Sequence, residues 1–459
     1  MKIEQIYTKC LAHAAYYITS NGEAAIIDPL REIQPYLDKL AADDVKLKYI
    51  FETHFHADFV SGHLDLSGKT NASIIYGPTA EPEFKAIIGE DGQVFNLGDV
   101  KIKLIHTPGH TMESTCFLLI DKDGKETAIF SGDTLFLGDV GRPDLAQEAT
   151  HKNMEELAGI LYESLYKKII PLSDDIVVYP GHGKGSACGK KMMSETVDTL
   201  GNQKRINYAL NQPHKESFVK AVTDGLLPPP GYFGANAAMN RQGYEHFENV
   251  FNRELKALSI EDFKAKAIPN NVLILDSRNN IEFAKGYIPG SVNIGLDGNF
   301  AQWVGEIIID VRTPVLLITE VGKEEETIIR LGRIGFDNVL GYLDGGFYTW
   351  KNTENEINIV NTIASKDFVS MLVAADNDYE IIDVRQESEY GNGHIKGAIN
   401  MPLNQIHNWI NEIDSEKHFY MYCQAGYRSI IASSFMILNG YCNFTEVQGG
   451  INEINSIIT

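Results

Sequence analysis

The chain is short of cysteine, with five in 459 residues, a sparse and odd number. That excludes a disulfide scaffold and fits a reducing compartment in which the few thiols are free to react; a cytoplasmic protein is expected. Positive charge is also scarce. Lys and Arg number 40 against 62 Asp and Glu, for a formal charge of −22 and a pI near 5.0. Such a surface repels nucleic acid and anionic lipid, so neither is expected as a partner. No apolar run approaches the ~20 residues that cross a bilayer, and no basic segment precedes an apolar one at the N-terminus. Core-forming residues are plentiful. Hydrophobic side chains make up 44% of the chain, enough at this length for two or three globular domains.

One further absence is local. The segment Thr53 to Phe59 reads T-H-F-H-A-D-F, a metal box whose last position is Phe59, a side chain with no lone pair to donate. Further ligands lie downstream, each after an apolar strand and on a Gly- or Pro-containing turn. His110 sits in Thr107-Pro108-Gly109-His110, Asp133 in Ser131-Gly132-Asp133-Thr134, and His182 in Tyr179-Pro180-Gly181-His182. Ligands on rigid turns at strand ends suit a preformed metal site.

Residues 1 to about 250 resemble the metallo-β-lactamase superfamily, whose two-metal hydrolases end this box in His. The stretch FSGDTLFLGDVGRPDL, from Phe130 to Leu145, is similar to its persulfide dioxygenase branch. That resemblance implies an αββα sandwich holding one Fe(II) on His54, His110 and Asp133, with His56, Asp58 and His182 orienting the ligands or facing substrate. Two His and one carboxylate leave open positions, as a non-haem iron oxygenase requires. The branch usually keeps a His where Phe59 stands, but not as an iron ligand; the iron assignment survives and a two-zinc hydrolase is disfavoured.

The second half contains an internal repeat. Asp276-Ser277-Arg278 and Gly286 to Asn293 recur 107 residues later, as Asp383-Val384-Arg385 and Gly393 to Asn400. Asp344-Gly345-Gly346 recurs after 104, as Gln448-Gly449-Gly450. Short apolar strands alternate with helical stretches in both copies, the pattern of parallel α/β domains, expected at residues 256–355 and 360–459. The Asp-x-Arg pairs occur in both copies, which favours a structural role.

Only the second copy carries Cys423-Gln424-Ala425-Gly426-Tyr427-Arg428-Ser429, between a strand and a helical run. This loop aims backbone N–H groups and a helix N-terminus at the sulfur, and Arg428 adds a positive charge. Cys-x4-Arg is one residue shorter than the phosphatase loop, which favours sulfur as cargo. With DVR and HIKGAIN it resembles a rhodanese sulfurtransferase. The first copy has neither Cys nor Arg at a shift of 102 or 103, and glutamates crowd its loop. It is expected to be an inactive rhodanese-like domain with a structural or docking role.

The resemblances together imply oxidation of a low-molecular-weight persulfide (of glutathione, coenzyme A or a similar thiol) by O2 to sulfite. Sulfur carried on Cys423 then converts sulfite to thiosulfate; the reverse transfer is chemically allowed. A homo-oligomer is expected. Cys188 lies beyond His182, before a helix expected over Lys190 to Leu200, where a thiol could relay sulfur or simply pack. Arg142 and Asp144 could bind the carrier thiol or form an ordinary loop salt bridge. Cys10, Cys116 and Cys442 are expected to be packed. The alternatives are a zinc thioester hydrolase of the glyoxalase II kind and a sulfur-relay protein without oxygenase activity.

Overall fold

The computed structural model describes residues 1–269, 271–373 and 379–458. The chain divides into two compact units, Met1–Asn249 with Gly332–Gly335, and Val250–Leu331 with Phe336–Thr459.

The first unit holds two six-stranded sheets. One runs in chain order: β1 (Lys2–Thr8), β2 (His13–Ser20), β3 (Glu23–Ile27), β4 (Lys46–Phe51), β5 (Ser73–Tyr76) and β6 (Ile87–Ile88). The other comprises β7 (Val94–Leu97), β8 (Val100–His106), β9 (Thr115–Ile120), β10 (Glu126–Gly132), β11 (Val177–Pro180) and β12 (Asp198–Thr199), again in order across the sheet. Strand periodicity explains the layering. In β2, Ala14, Tyr16 and Ile18 face Phe117, Leu119 and Phe130 of the opposite sheet. Their alternates Ala15 and Tyr17 pack instead with Tyr36 and Leu40 of the helix Gln34–Ala42. Behind the second sheet, Leu118 and Ile129 meet Ala158 and Leu161 of the helix Met154–Ser164 and Phe218 of Lys215–Thr223. Burial of this kind on both faces of both sheets produces the αββα sandwich, and each fully buried Leu, Ile or Phe adds roughly 1.5–3 kcal/mol of hydrophobic stabilisation.

The second unit holds two five-stranded parallel sheets of identical order. The first copy comprises β13 (Ala257–Leu258), β14 (Leu273–Asp276), β15 (Ser291–Asn293), β16 (Val315–Ile318) and β17 (Val339–Leu343), arranged β13-β17-β16-β14-β15. The second comprises β18 (Thr362–Ile363), β19 (Glu380–Asp383), β20 (Ile399–Asn400), β21 (Phe419–Tyr422) and β22 (Phe444–Val447), arranged β18-β22-β21-β19-β20. Asp276 pairs with Ile318 and Asp383 with Tyr422, so Thr319 is the counterpart of Cys423. The shift at the loop is therefore 104, not 102 or 103. Gly322 (φ +86°) and Gly426 (φ +96°) occupy the same left-handed turn position. The copies touch: the Ser434 hydroxyl accepts from the Asn293 N–H at 3.0 Å, and the Tyr427 hydroxyl donates to the Gly295 carbonyl at 2.8 Å.

The helix expected over Lys190 to Leu200 does not form. The Lys190 and Lys191 N–H groups donate to the Asp139 carboxylate, and Met193 N–H donates to the Leu137 carbonyl. These donors are spent on the neighbouring loop, and the helix begins only at Leu200. Cys442, expected to be packed, is exposed beyond the end of the helix Tyr427–Leu438. Among the described residues no helix is long and apolar enough to cross a membrane.

Candidate metal centre and sulfur-transfer loop

The turns after β4, β8 and β10 bring His54, His110 and Asp133 together, with ligand atoms all within 4.8 Å of one another. His110 Nε2 lies 3.6 Å and His54 Nε2 3.9 Å from Asp133 Oδ2. The hydrogen bonds behind them set the tautomers. His110 Nδ1 is 2.8 Å from the Arg142 carbonyl, which can only accept, so Nδ1 carries the proton. Thr53 donates its hydroxyl to Asp28 at 2.8 Å and so accepts from His54 Nδ1 at 2.9 Å. Both Nε2 lone pairs are thereby left for the centre. Burial, reinforced by nearby His56, holds His54 well below the usual imidazole range, in its neutral, ligating form. Burial opposes ionisation of Asp133, but the charge of His182 prevails and keeps it a carboxylate.

His110 Nε2 and Asp133 Oδ2 are buried and have no hydrogen-bond partner. Two orphaned acceptors converging on one point are costly unless a cation fills the gap. The residues therefore fit a metal ion. The glycines of the turns are also accounted for: a Cβ at Gly141 would stand 1.9 Å from the Asp133 carbonyl oxygen, and one at Gly181 2.6 Å from Asp133 Oδ1.

His182 sits beside the triad, Nδ1 2.8 Å from Asp133 Oδ1 and Nε2 2.7 Å from Asp58 Oδ2. Burial lowers its pKa, but the two carboxylates outweigh burial and raise it well above the usual value. His56 points elsewhere, to Asp28 Oδ1 at 3.1 Å and Glu52 Oε2 at 3.6 Å. Phe59 is fully buried, its ring 4.2 Å from those of both His13 and His56. Phe59 thus packs against two histidines and offers no ligand atom of its own.

Sequence reasoning missed Asp28 and Glu52. The available signal was Ile26-Ile27-Asp28, an apolar strand running into an acid, the same pattern that marks Asp133. Burial and the Asp28 charge raise Glu52 well above the carboxylate range.

Arg142 is buried, its guanidinium held in a bidentate pair with Asp144 at 2.7 and 2.8 Å and bonded to the Ala187 and Leu227 carbonyls. The loop salt bridge weighed above is therefore present. Cys188 is buried with its sulfur near Asp58 and His182. Burial, then the charges of Asp58 and Asp133, push its thiol well up, which disfavours a nucleophilic thiolate.

In the second unit, Cys423 Sγ is buried and accepts from the Gly426 N–H at 3.1 Å. The Ser429 hydroxyl lies 3.4 Å away. Arg428 is not free over the loop: its two terminal nitrogens grip Glu389 at 2.6 and 2.7 Å. Gln424 reaches Asn452 and, at 3.4 Å, Arg385, while Ala425 lines a cavity beside Gly426. The Tyr427 ring occupies the space that a side chain at residue 298 would need, so Gly298 is required there.

Residues 8–182 match the metallo-beta-lactamase superfamily, and residues 259–353 and 366–457 match the rhodanese-like domain. A probable hydroxyacylglutathione hydrolase of Schizosaccharomyces pombe is 32% identical over 39% of this chain and 67% of its own length. A hydroxyacylglutathione hydrolase of Pelagibacter ubique is 34% identical over 38% of this chain and 68% of its own. The crystal structure of a metallo-beta-lactamase from Staphylococcus aureus superposes with a TM-score of 0.67 at 29% identity, covering 75% of this chain and 98% of that one. The chain belongs to the metallo-beta-lactamase superfamily and carries two rhodanese-like domains behind its metal-binding sandwich.

Proposed function

We propose that the protein oxidises a low-molecular-weight thiol persulfide to sulfite at a single iron and transfers sulfane sulfur through Cys423, giving thiosulfate. The observation that carries this reading is the His54–His110–Asp133 triad with two orphaned buried acceptors, in one chain with a Cys-x4-Arg loop. Iron(II) held by these three residues supplies dioxygen chemistry at positions left open to a sulfur ligand. The chain's own residues do the rest. Thr53 and the Arg142 carbonyl fix the two imidazoles, His182 holds Asp133 in place, and the Gly426 N–H stabilises negative charge on Cys423. Joining both activities in one chain raises the local concentration of sulfite at the second.

The test is oxygen uptake by iron-loaded protein given glutathione persulfide, then coenzyme A persulfide, with sulfite and thiosulfate quantified. Uptake with thiosulfate as the main product is expected. No uptake with either carrier, iron being bound, overturns the oxygenase reading.

The relatives' names favour a second reading, thioester hydrolysis. The buried Phe59 weighs against it, because it occupies the position of a ligand for a second metal. Phe59→His is expected to raise bound metal from one ion per chain towards two. Turnover of S-lactoylglutathione by unaltered, zinc-loaded protein would instead support the hydrolase.

A further inference from the structure

Behind the Cys423 loop lies a buried acid that sulfur transfer, as described so far, does not use. Glu446, on β22, is 2% exposed. Its Oε1 is 2.7 Å from Ser429 Oγ, which in turn is 3.4 Å from Cys423 Sγ. Ser429 and Cys423 are also buried. The carboxyl therefore reaches the sulfur through one hydroxyl.

A hydroxyl has one proton to give. When Ser429 donates to an ionised Glu446, Cys423 must be the thiol, with its S–H towards Ser429 Oγ. When Cys423 carries negative charge, Ser429 turns its O–H to the sulfur and Glu446 must be the protonated partner. Two acids facing each other across one hydroxyl in a buried site disfavour double ionisation.

We propose that Cys423 and Glu446 share a single proton through Ser429, making Glu446 a positioning residue that stores the thiol proton while sulfur is on the enzyme. This rests on the sulfur-transfer reading of Cys423. Burial, opposed by the Ser429 hydroxyl, pushes the Glu446 carboxyl up to about 7. The other charged groups around Glu446 are few. Lys285 of the helix Asn280–Lys285 and Glu453 of the helix Gly450–Ile458 line the same cavity of about 580 Å³. Lys285 pairs with Glu282, and Arg428 of the helix Tyr427–Leu438 is taken by Glu389. The register neighbours of Glu446 are Met421 on β21 and Thr362 on β18, neither of which titrates.

The sulfur steps balance with this storage. Cys423 thiol passes its proton to Ser429 as Ser429 passes its own to Glu446. The thiolate attacks the outer sulfur of a persulfide anion; the Sγ–S bond forms, the carrier S–S bond breaks, and the carrier leaves as thiolate. Cys423 is now a persulfide anion beside neutral Glu446. Sulfite attacks the outer sulfur, thiosulfate departs, and the Cys423 thiolate recovers its proton from Glu446 through Ser429. No external oxidant is needed, and the pair carries one negative charge throughout.

Iodoacetamide alkylation of Cys423 in the full chain, followed by mass spectrometry of the Cys423 peptide across pH, tests the pairing. Unaltered protein is expected to rise in two steps separated by a plateau, because ionised Glu446 holds the thiol protonated. Glu446→Gln should give one step, with alkylation in the plateau region of the unaltered protein about 10-fold faster, because no ionised carboxylate then opposes the thiolate across the Ser429 hydroxyl. A single step that Glu446→Gln leaves in place, or slows equally at every pH, overturns the proposal. Infrared difference spectra of unaltered protein supply a measurement independent of that variant's folding. Loading with thiosulfate at about pH 8 should produce a protonated-carboxyl band, absent from Cys423→Ser; no band in unaltered, sulfur-loaded protein overturns the shared proton. If thiosulfate does not load Cys423 at all, the sulfur-transfer reading falls, and the alkylation profile alone decides the proton.

Discussion

The two rhodanese-like copies share a sheet order and a buried clamp, and differ at the atoms that do chemistry. In the first, Arg278 grips Asp276 and donates to the Gly286 carbonyl at 3.0 Å. In the second, Arg385 grips Asp383 and donates to the Gly393 carbonyl at 2.7 Å. Both loops place a glycine at the same left-handed position. Yet Thr319 stands for Cys423, Glu324 for Arg428 and Glu325 for Ser429, and Thr319 Oγ1 is buried without a hydrogen-bond partner. The scaffold that shapes the loop is thus separable from the side chains that load it. A clamp, a turn glycine and a strand register are shared by a loop that carries a cysteine and one that does not.

The comparison can be broken most severely at Cys423. Cys423→Ser should reduce thiosulfate formation to background while oxygen uptake continues and sulfite accumulates; undiminished thiosulfate would show that sulfur travels by another route. Next in size are the clamps. Asp276→Ala and Asp383→Ala each leave a buried Arg unpaired, and each should cost about 3–5 kcal/mol in urea unfolding followed by circular dichroism. A much smaller loss in the first copy would mean that its clamp is a relic. Thr319→Cys tests how much of the loop remains. Transfer from thiosulfate to cyanide, measured in a Cys423→Ser background, should stay at background until Glu324→Arg is added, and then rise by roughly 10-fold as one like-charge repulsion is removed. The smallest effect is expected on sulfur transfer when iron is removed by a chelator: transfer to cyanide should change by less than about twofold even as oxygen uptake is lost, the two centres depending on different residues.

The candidate ligands His54, His110 and Asp133, and His182 beside them, were legible because each follows its own strand on its own short turn, a local pattern. The Cys423 loop was legible for the same reason. Asp28 escaped because its partners Thr53 and His56 follow a different strand, and Glu52 because only its burial beside His56, four residues on, distinguishes it from a surface acid. Arg428 was read as a positive charge on the loop, but its partner Glu389, 39 residues away, lies on another element and was not legible beside it. Lys190 to Leu200 looked helical from local composition, but Asp139, about 50 residues earlier, takes its backbone donors.

Sequence alone therefore determined the repeat, the three candidate metal ligands and the place of the Cys423 loop, since periodicity and turn chemistry act over a few residues, and the αββα sandwich followed from the resemblance those motifs carry. Tertiary structure alone decided which donors are left orphaned, that His182 bridges two carboxylates, that Thr319 is the counterpart of Cys423, and that Glu446 stands one hydroxyl from the sulfur. Those facts depend on which strands lie side by side and on what burial does to charge, and neither is written in the local order of residues.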